Sequence, residues 1–317
     1  MRHVLVVGDA NVDLTLYVPD RPAAGLGARV VREPLLGSGG TAANTAAALG
    51  RLGVPVEFAG AIGDDAFGRR VLADLAAVGV GTRGIRLTDV PTCQVIALVE
   101  PDGERSLVVW PADGGALVDF RPADLDGAMI AGAAWLHTTG MCLRHAPVCD
   151  AALAAMAAAR AAGVPVSIDL NLRAELWGLE AERRTVIEAA IALADVVLAQ
   201  GHEELLPLTG APDMASAARL VANGERTVVA RMGAGGALAV GLDGAVHVAP
   251  AFAVEALNPI GAGDAFNGGF IAARVEGRSL AEALRWGNAV AACKVAAPGG
   301  ARDLPDRATV EALLALG

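Results

Sequence analysis

The sequence predicts an α/β protein, with a central, mostly parallel sheet flanked by helices and a small β-sheet lid. From residue 130 onward, short runs of Val, Ile, Leu and Ala alternate with alanine-rich helical stretches, the pattern of strands covered on both faces. Two earlier segments, about 12–36 and 91–112, show strand patterns with no helical period, so they read as excursions that pair into the lid. Glycine-rich turns stand where strands give way to helices. No internal repeat or low-complexity linker interrupts the chain, which predicts one domain over 1–317.

Val4 to Val7 reads as a buried strand. Asn11 and Asp13 leave it at alternate positions and share one face if the chain stays extended; they either grip hydroxyl groups or form a solvated turn. Short strands follow at Leu14–Val18 and Arg29–Arg32, broken by Pro19, Pro22 and Gly25. Gly37 to Asn44 opens the first clear helix, either as a ligand-facing entrance or as an ordinary N-terminus capped by Ser38 or Thr41. Gly39 and Gly40 let a ligand approach the backbone there, and Asn44, one turn in, points into the same space. Val56–Ala59 is a strand and Ala66–Val78 a helix, and Pro101-Asp102-Gly103 joins strands Thr92–Val99 and Arg105–Trp110 as a hairpin. Strands at 134–137, 164–169, 196–199 and 227–231 then alternate with helices at 146–162, 180–193, 202–208 and 213–222. A hairpin over 237–249 and helices at 264–276, 279–296 and 308–316 close the chain. Ligands of such sheets bind at the carboxyl ends of the strands, which puts Asp13, His137 to Gly140, Asp169 to Arg173, Gln200 to Glu204 and Arg231 to Gly236 along one rim.

Composition narrows the function. With 54% hydrophobic and only 3% aromatic residues, the core is built from Val, Leu, Ile and Ala. A formal net charge of −10 without any basic run excludes nucleic acid and anionic membranes as partners. No apolar run is long enough to span a bilayer, and the N-terminal stretch reads as a strand rather than a signal peptide. Cys93, Cys142, Cys149 and Cys293 lack metal-ligand spacing and read as reduced thiols of a cytoplasmic protein.

The stretch Asn258 to Phe270 carries the chemistry. Gly261, Ala262 and Gly263 form a tight turn, and an apolar helical pattern begins at Asp264. Unpaired N–H groups at a helix N-terminus favour an anion, and glycine lets a phosphate come close. Asp264 is badly placed for phosphate binding alone, because it repels phosphate. It either caps the helix or takes a proton from a hydroxyl that attacks phosphorus.

Taken together, these residues resemble the ribokinase-like, or PfkB, carbohydrate kinase family, in the family's order and over essentially the whole chain. Gly39, Gly40 and Asn44 resemble its first signature and Gly261 to Asp264 its second, while Asn11 and Asp13 resemble its early N-x-D. The resemblance implies ATP-dependent phosphorylation of a hydroxymethyl group on a sugar or nucleoside, with Asp264 as general base and the N–H groups of Ala262, Gly263 and Asp264 on the transferring phosphoryl. It puts Asn11, Asp13, Gly39, Gly40, Asn44, Asn171 and Arg173 on the acceptor. It puts Arg231, Gly233, Gly236, Gly263 and Asn288 on ATP, and Glu204 on Mg2+ through water. It also implies a homodimer through the lid, on a face of Val95, Ala97, Val99, Leu107 and Val109.

Three departures stand out. Asn258-Pro259 replaces the family's Asp-Thr, Gly201-His202-Glu203-Glu204 keeps only the Glu of N-x-x-E, and Gly140 stands where ribose-specific members carry Glu. Family members bind K+ in a loop beside the anion turn. With Asn258 in place of the charged ligand, only weak activation by a monovalent cation is expected; a many-fold dependence would mean that carbonyls near Ala296 to Gly300 suffice for the ion. Asp169, Asn171, Arg173 and Trp177 resemble the fructokinase and 2-keto-3-deoxygluconate kinase branch. That favours a hexose or keto-sugar acid, with Arg173 or Arg105 meeting a carboxylate. The alternatives are a nucleoside kinase and a non-catalytic sugar- or nucleotide-binding module; the latter gains nothing from Asp264.

Overall fold

The computed structural model describes residues 2–20, 29–101, 105–298 and 303–316. Along the chain it places β1 (Val4–Val7), β2 (Asn11–Tyr17), β3 (Leu35–Gly39), α1 (Thr41–Arg51), β4 (Val56–Gly63), α2 (Ala66–Ala77), β5 (Val80–Thr88), β6 (Gln94–Val99) and β7 (Arg105–Trp110). There follow α3 (Gly127–Gly132), β8 (Trp135–Thr139), α4 (Val148–Ala161), β9 (Val166–Asp169), α5 (Ala174–Trp177), α6 (Ala181–Leu193) and β10 (Val196–Gln200). The chain ends with α7 (Leu206–Thr209), α8 (Met214–Ala222), β11 (Thr227–Arg231), β12 (Ala237–Val240), β13 (Val246–Ala249), α9 (Ala262–Val275), α10 (Leu280–Val295) and α11 (Arg307–Leu316).

Nine strands form the main sheet, in the order β13-β12-β11-β10-β9-β8-β1-β4-β5. From β11 to β5 every pairing is parallel, and β12 and β13 add an antiparallel edge. β1 shows why the inner strands are apolar from end to end. Val4 and Val6 join the core on one face of the sheet, Leu5 and Val7 the core on the other, so neither set meets water. β1 lies between β4, which the chain reaches next in this sheet, and β8, which it reaches only after β5 and the lid, so the strand order switches direction at β1, the place where such sheets bind ligands at their carboxyl ends.

The lid is a separate sheet in the order β3-β2-β6-β7, made from the two predicted excursions. Its details correct the sequence reading. No strand forms at 29–32; β3 starts three residues past that stretch, at Leu35, paired so that Asn11 faces Gly39. Pro22 and Gly25 lie outside the described residues, as do Gly299 and Gly300. The first helix starts at Thr41, after a strand that already contains Gly37 to Gly39. The helix expected at 202–208 divides into one wide turn over Gly201–Leu205 and the short α7.

β5 went unread in the sequence because Gly81, Gly84, Arg83 and Arg86 break its apolar pattern. It is an edge strand, where charge is tolerated: Arg83 pairs with Glu57, and Arg86 with Asp119 and Asp124. Among the described residues no helix is long and apolar enough to cross a membrane. The four cysteines are free thiols, three of them buried.

Candidate active site

The N-terminus of α9 is the centre of the rim. Gly261 takes φ 77, a left-handed conformation that glycine adopts without strain, and the helix begins at the next residue. The turn is self-supporting. Asn258 Oδ1 accepts from the Ile260 N–H at 3.0 Å, and the Ala262 N–H donates to Pro259 O at 3.2 Å. With Ala262 engaged in the turn, the outward first-turn donors are the N–H groups of Gly263 and Asp264.

Asp264 is only 8% exposed. Its Oδ2 accepts from Asn44 Nδ2 at 2.8 Å, so the residue expected to touch the acceptor also orients the expected base. Burial pushes the Asp264 carboxyl up to about 8. Asn44 opposes the shift, Asp169 and Asp9 add to it, and the Arg231 guanidinium pulls the other way.

Behind this carboxylate stands a second cluster, which supports the helix. Arg231, at the end of β11, grips Asp169, at the end of β9, through two bonds of 2.7 and 2.8 Å. Arg231 also donates to Asn267 Oδ1 at 2.6 Å and to Gly263 O at 3.3 Å, and Asn267 Nδ2 closes the ring on Asp169 at 2.7 Å. Burial alone would raise the Asp169 carboxyl, but Arg231 and Asn267 outweigh it and hold the group below the usual carboxylate range. Arg231, read from sequence as a nucleotide contact, therefore ties two strands to the first turn of α9. His137, on neighbouring β8, is fully buried with Nδ1 2.9 Å from Ser167 Oγ, and burial lowers its pKa to about 4, so it stays neutral.

The acceptor side is built on the exit from β1. Asn11 Nδ2 donates to Asp13 Oδ1. Burial raises the Asp13 carboxyl to about 6, with Asn11 opposing and Asp9 contributing. Asp13 lies against the backbone of Gly39, where a Cβ would come within 2.2 Å of its Oδ2, so any side chain at 39 displaces the carboxylate. Gly40 takes φ 101, and a Cβ there would meet Asp9 O at 2.5 Å.

Asp9 was absent from the sequence-derived set. Its carboxylate accepts from the N–H groups of Thr41 and Ala42 at 2.6 and 3.1 Å, and from Thr139 Oγ1 at 3.2 Å. The cap of α1 is thus supplied from the segment that follows β1, and neither Ser38 nor Thr41 caps it by its own side chain. Ser38 bonds Asp74 instead. The signal was present: Asp9, Asn11 and Asp13 alternate. Asn267 also had a signal, lying one turn beyond Asp264 on the same helix face.

The remaining predicted residues lie around the rim. Glu204 Oε1 and Oε2 accept the N–H groups of Leu172 and Gln200, each at 2.7 Å, and burial together with Asp169 raises its carboxyl to about 7. Asn171 is buried at φ 36, and Arg173 is exposed at φ 47 at the head of α5. Arg144 stacks 3.6 Å over Trp177, close to Arg183. The side chain of Arg105 lies outside the described set. Gly233 and Gly236 have positive φ in the turn between β11 and β12. Asn288 donates to Ala249 O and Pro250 O, both at 3.0 Å, and so braces the chain after β13.

Comparison with known proteins agrees with this geometry. Residues 1–307 match the family model described as pfkB family carbohydrate kinase. The chain is 34% identical over 271 residues to a fructokinase of Klebsiella pneumoniae, covering 85% of this chain and 83% of that one. It is 29% identical over 274 residues to a 5-dehydro-2-deoxygluconokinase of Photobacterium profundum, with the same two coverages. Among solved structures, the fructokinase of Xylella fastidiosa with bound ATP superimposes with a TM-score of 0.86 at 28% identity, over 99% of this chain and 98% of the other.

Proposed function

Because the chain belongs to the pfkB family of carbohydrate kinases, we propose that it transfers the γ-phosphoryl group of ATP to a hydroxymethyl group of a hexose or keto-sugar acid, acting as one domain over its length. One observation carries the reading: a buried carboxylate with a raised pKa, Asp264, held by Asn44 at a helix N-terminus that favours an anion.

The acceptor hydroxyl gives its proton to Asp264 as its oxygen bonds to the γ-phosphorus, and the bond from that phosphorus to the bridging oxygen of ADP breaks. The Gly263 and Asp264 N–H groups meet the transferring phosphoryl. Asp13, Asn11, Gly39, Gly40 and Asn44 hold the sugar, with Asn171 and Arg173 on the far rim. Closing the lid excludes water, the competing acceptor. Gly233, Gly236 and Asn288 shape the ATP side, and Arg231 acts there by fixing the helix.

Among the described residues no group of three or more His, Cys, Asp or Glu is placed to hold a metal. The donors would suit a hard cation carried by ATP: Glu204, whose carboxylate oxygens keep lone pairs beyond the two backbone bonds, would hold it through water. When bound, Mg2+ neutralises phosphate charge.

The face expected to form a lid-to-lid dimer is the one carrying Asp13, since Asp13 pairs with Val95 and Val95 with Val109. Leu107 and Val109 are exposed on it and Ala97 is buried. A homodimer through this face is part of the reading.

The test is an ADP-release screen over fructose, 2-keto-3-deoxygluconate, ribose and adenosine. Turnover is expected to be fastest with fructose or the keto-sugar acid. If the acid is the substrate, Arg173→Ala lowers its turnover far more than that of a neutral sugar. Fastest turnover of adenosine would favour a nucleoside kinase, and no ADP release with any acceptor would leave a binding module.

A further inference from the structure

Lys294, near the C-terminal end of α10, is 2% exposed. A lysine this buried is rare, because its ammonium gives up water on entering the core. Burial lowers its pKa, while Asp303 and Asp264 hold the charged form. Its Nζ lies 3.5 Å from the carbonyl oxygen of Asn258, the residue that opens the anion turn.

Further bonds among the described residues fasten the same turn to the end of α10. The Leu257 and Asn258 N–H groups both donate to Val295 O, at 2.9 and 3.0 Å, and Asn258 Nδ2 reaches Pro298 O at 3.4 Å. A positive charge is favoured here, beside the carbonyl end of the α10 dipole. The charge balance of the site needs one as well. Arg231 is matched by Asp169, while Asp264 in the ionised form that a base needs, together with Asp13 and Asp9, brings negative charge, and an incoming nucleotide brings more.

We propose that Lys294 is a positioning residue for phosphoryl transfer: its ammonium is a built-in cation that holds the Asn258 carbonyl and supplies fixed positive charge behind the turn from Gly261 to Asp264. The site then needs no monovalent cation from solution. The proposal rests on the kinase reading for its kinetic consequences but not for its effect on the fold.

The experiment compares the intact enzyme and Lys294→Met in K+ and in tetramethylammonium at equal ionic strength. The unaltered enzyme should turn over at rates within about twofold in the two salts, a difference too small for a bound activating ion. Lys294→Met in tetramethylammonium should lose about ten- to a hundredfold in kcat, the range for one charge-assisted hydrogen bond, with smaller changes in KM. K+ or ammonium should restore most of that loss, and should raise the Tm of the variant but not of the unaltered protein. A merely structural lysine would give no such rescue.

Full activity of Lys294→Met, a loss that neither ion relieves, or strong K+ dependence of the unaltered enzyme would each overturn the proposal. If the Met variant does not fold, Lys294→Gln replaces it, and the comparison on the unaltered enzyme stands regardless. If that enzyme releases no ADP with any acceptor, the kinase reading fails on its own, and the Tm comparison still decides the role of Lys294.

Discussion

Asp264→Asn is expected to lower kcat by about two to four orders of magnitude, the usual contribution of a general base, with little change in ATP affinity. The amide keeps the size of the side chain and can still bond Asn44, so the helix N-terminus and its outward N–H groups survive. Only proton acceptance is lost. The same substitution should leave the fold no less stable above neutral pH. The folded-state pKa of Asp264 is raised to about 8, so the folded chain holds this proton more tightly than the unfolded chain does. Stability therefore falls as pH climbs from about 4 towards that value, and an amide removes the fall. Steady-state kinetics with calorimetric ATP binding checks the first expectation, and thermal melts at pH 6 and pH 9 check the second. Full turnover by the Asn variant would remove Asp264 from the mechanism.

Arg231→Met is expected to cost about 3–5 kcal/mol of stability, the usual result of removing one partner from a buried ion pair. The side chains of Arg231 and Asp169 are 13% and 3% exposed, so Asp169 would be left charged and poorly hydrated. Activity should fall too, because Gly263 and Asn267 lose the group that ties the first turn of α9 to the sheet. Denaturant titration reads the stability. The double change Asp169→Leu with Arg231→Met should recover part of it, since an uncharged pair leaves no stranded charge. A loss below about 1 kcal/mol would mean that water or another group replaces the guanidinium.

The sequence made some of this architecture legible and hid the rest for identifiable reasons. The parallel core was readable because strands buried on both faces must be apolar throughout, as Val4 to Val7 are. The anion turn was readable because Gly261 and Gly263 flank the start of a helix. What stayed hidden depends on contacts between segments far apart in the chain. Asp9 caps a helix 32 residues away, and Asn44 reaches Asp264 across 220 residues. The engagement of Arg231, expected at the nucleotide, with Asp169, 62 residues earlier, was equally hidden. The edge strand β5 was missed because edge strands tolerate charge and glycine, which erases the alternation that marks a strand. Lys294 sat unnoticed in a helical run, since helical periodicity does not say which side will lie against an acidic turn.

The central claim is that Asp264 accepts the proton from the attacking hydroxyl, and the pH dependence of kcat/KM tests it most directly. This profile reports the groups of the free enzyme. Asn44 on α1, Asp9 after β1, Asp169 on β9, Arg231 on β11 and Lys294 on α10 surround the base. Asp13 and Glu204 titrate at lower pH, near 6 and near 7. As a base works only in its ionised form, kcat/KM for the best sugar should climb about tenfold per pH unit below pH 8 and level off above it. In Asp264→Asn the residual rate should lack that limb while keeping any inflection from Asp13 or Glu204. A profile flat from pH 6 to pH 9, or the same limb in the Asn variant, would contradict the account.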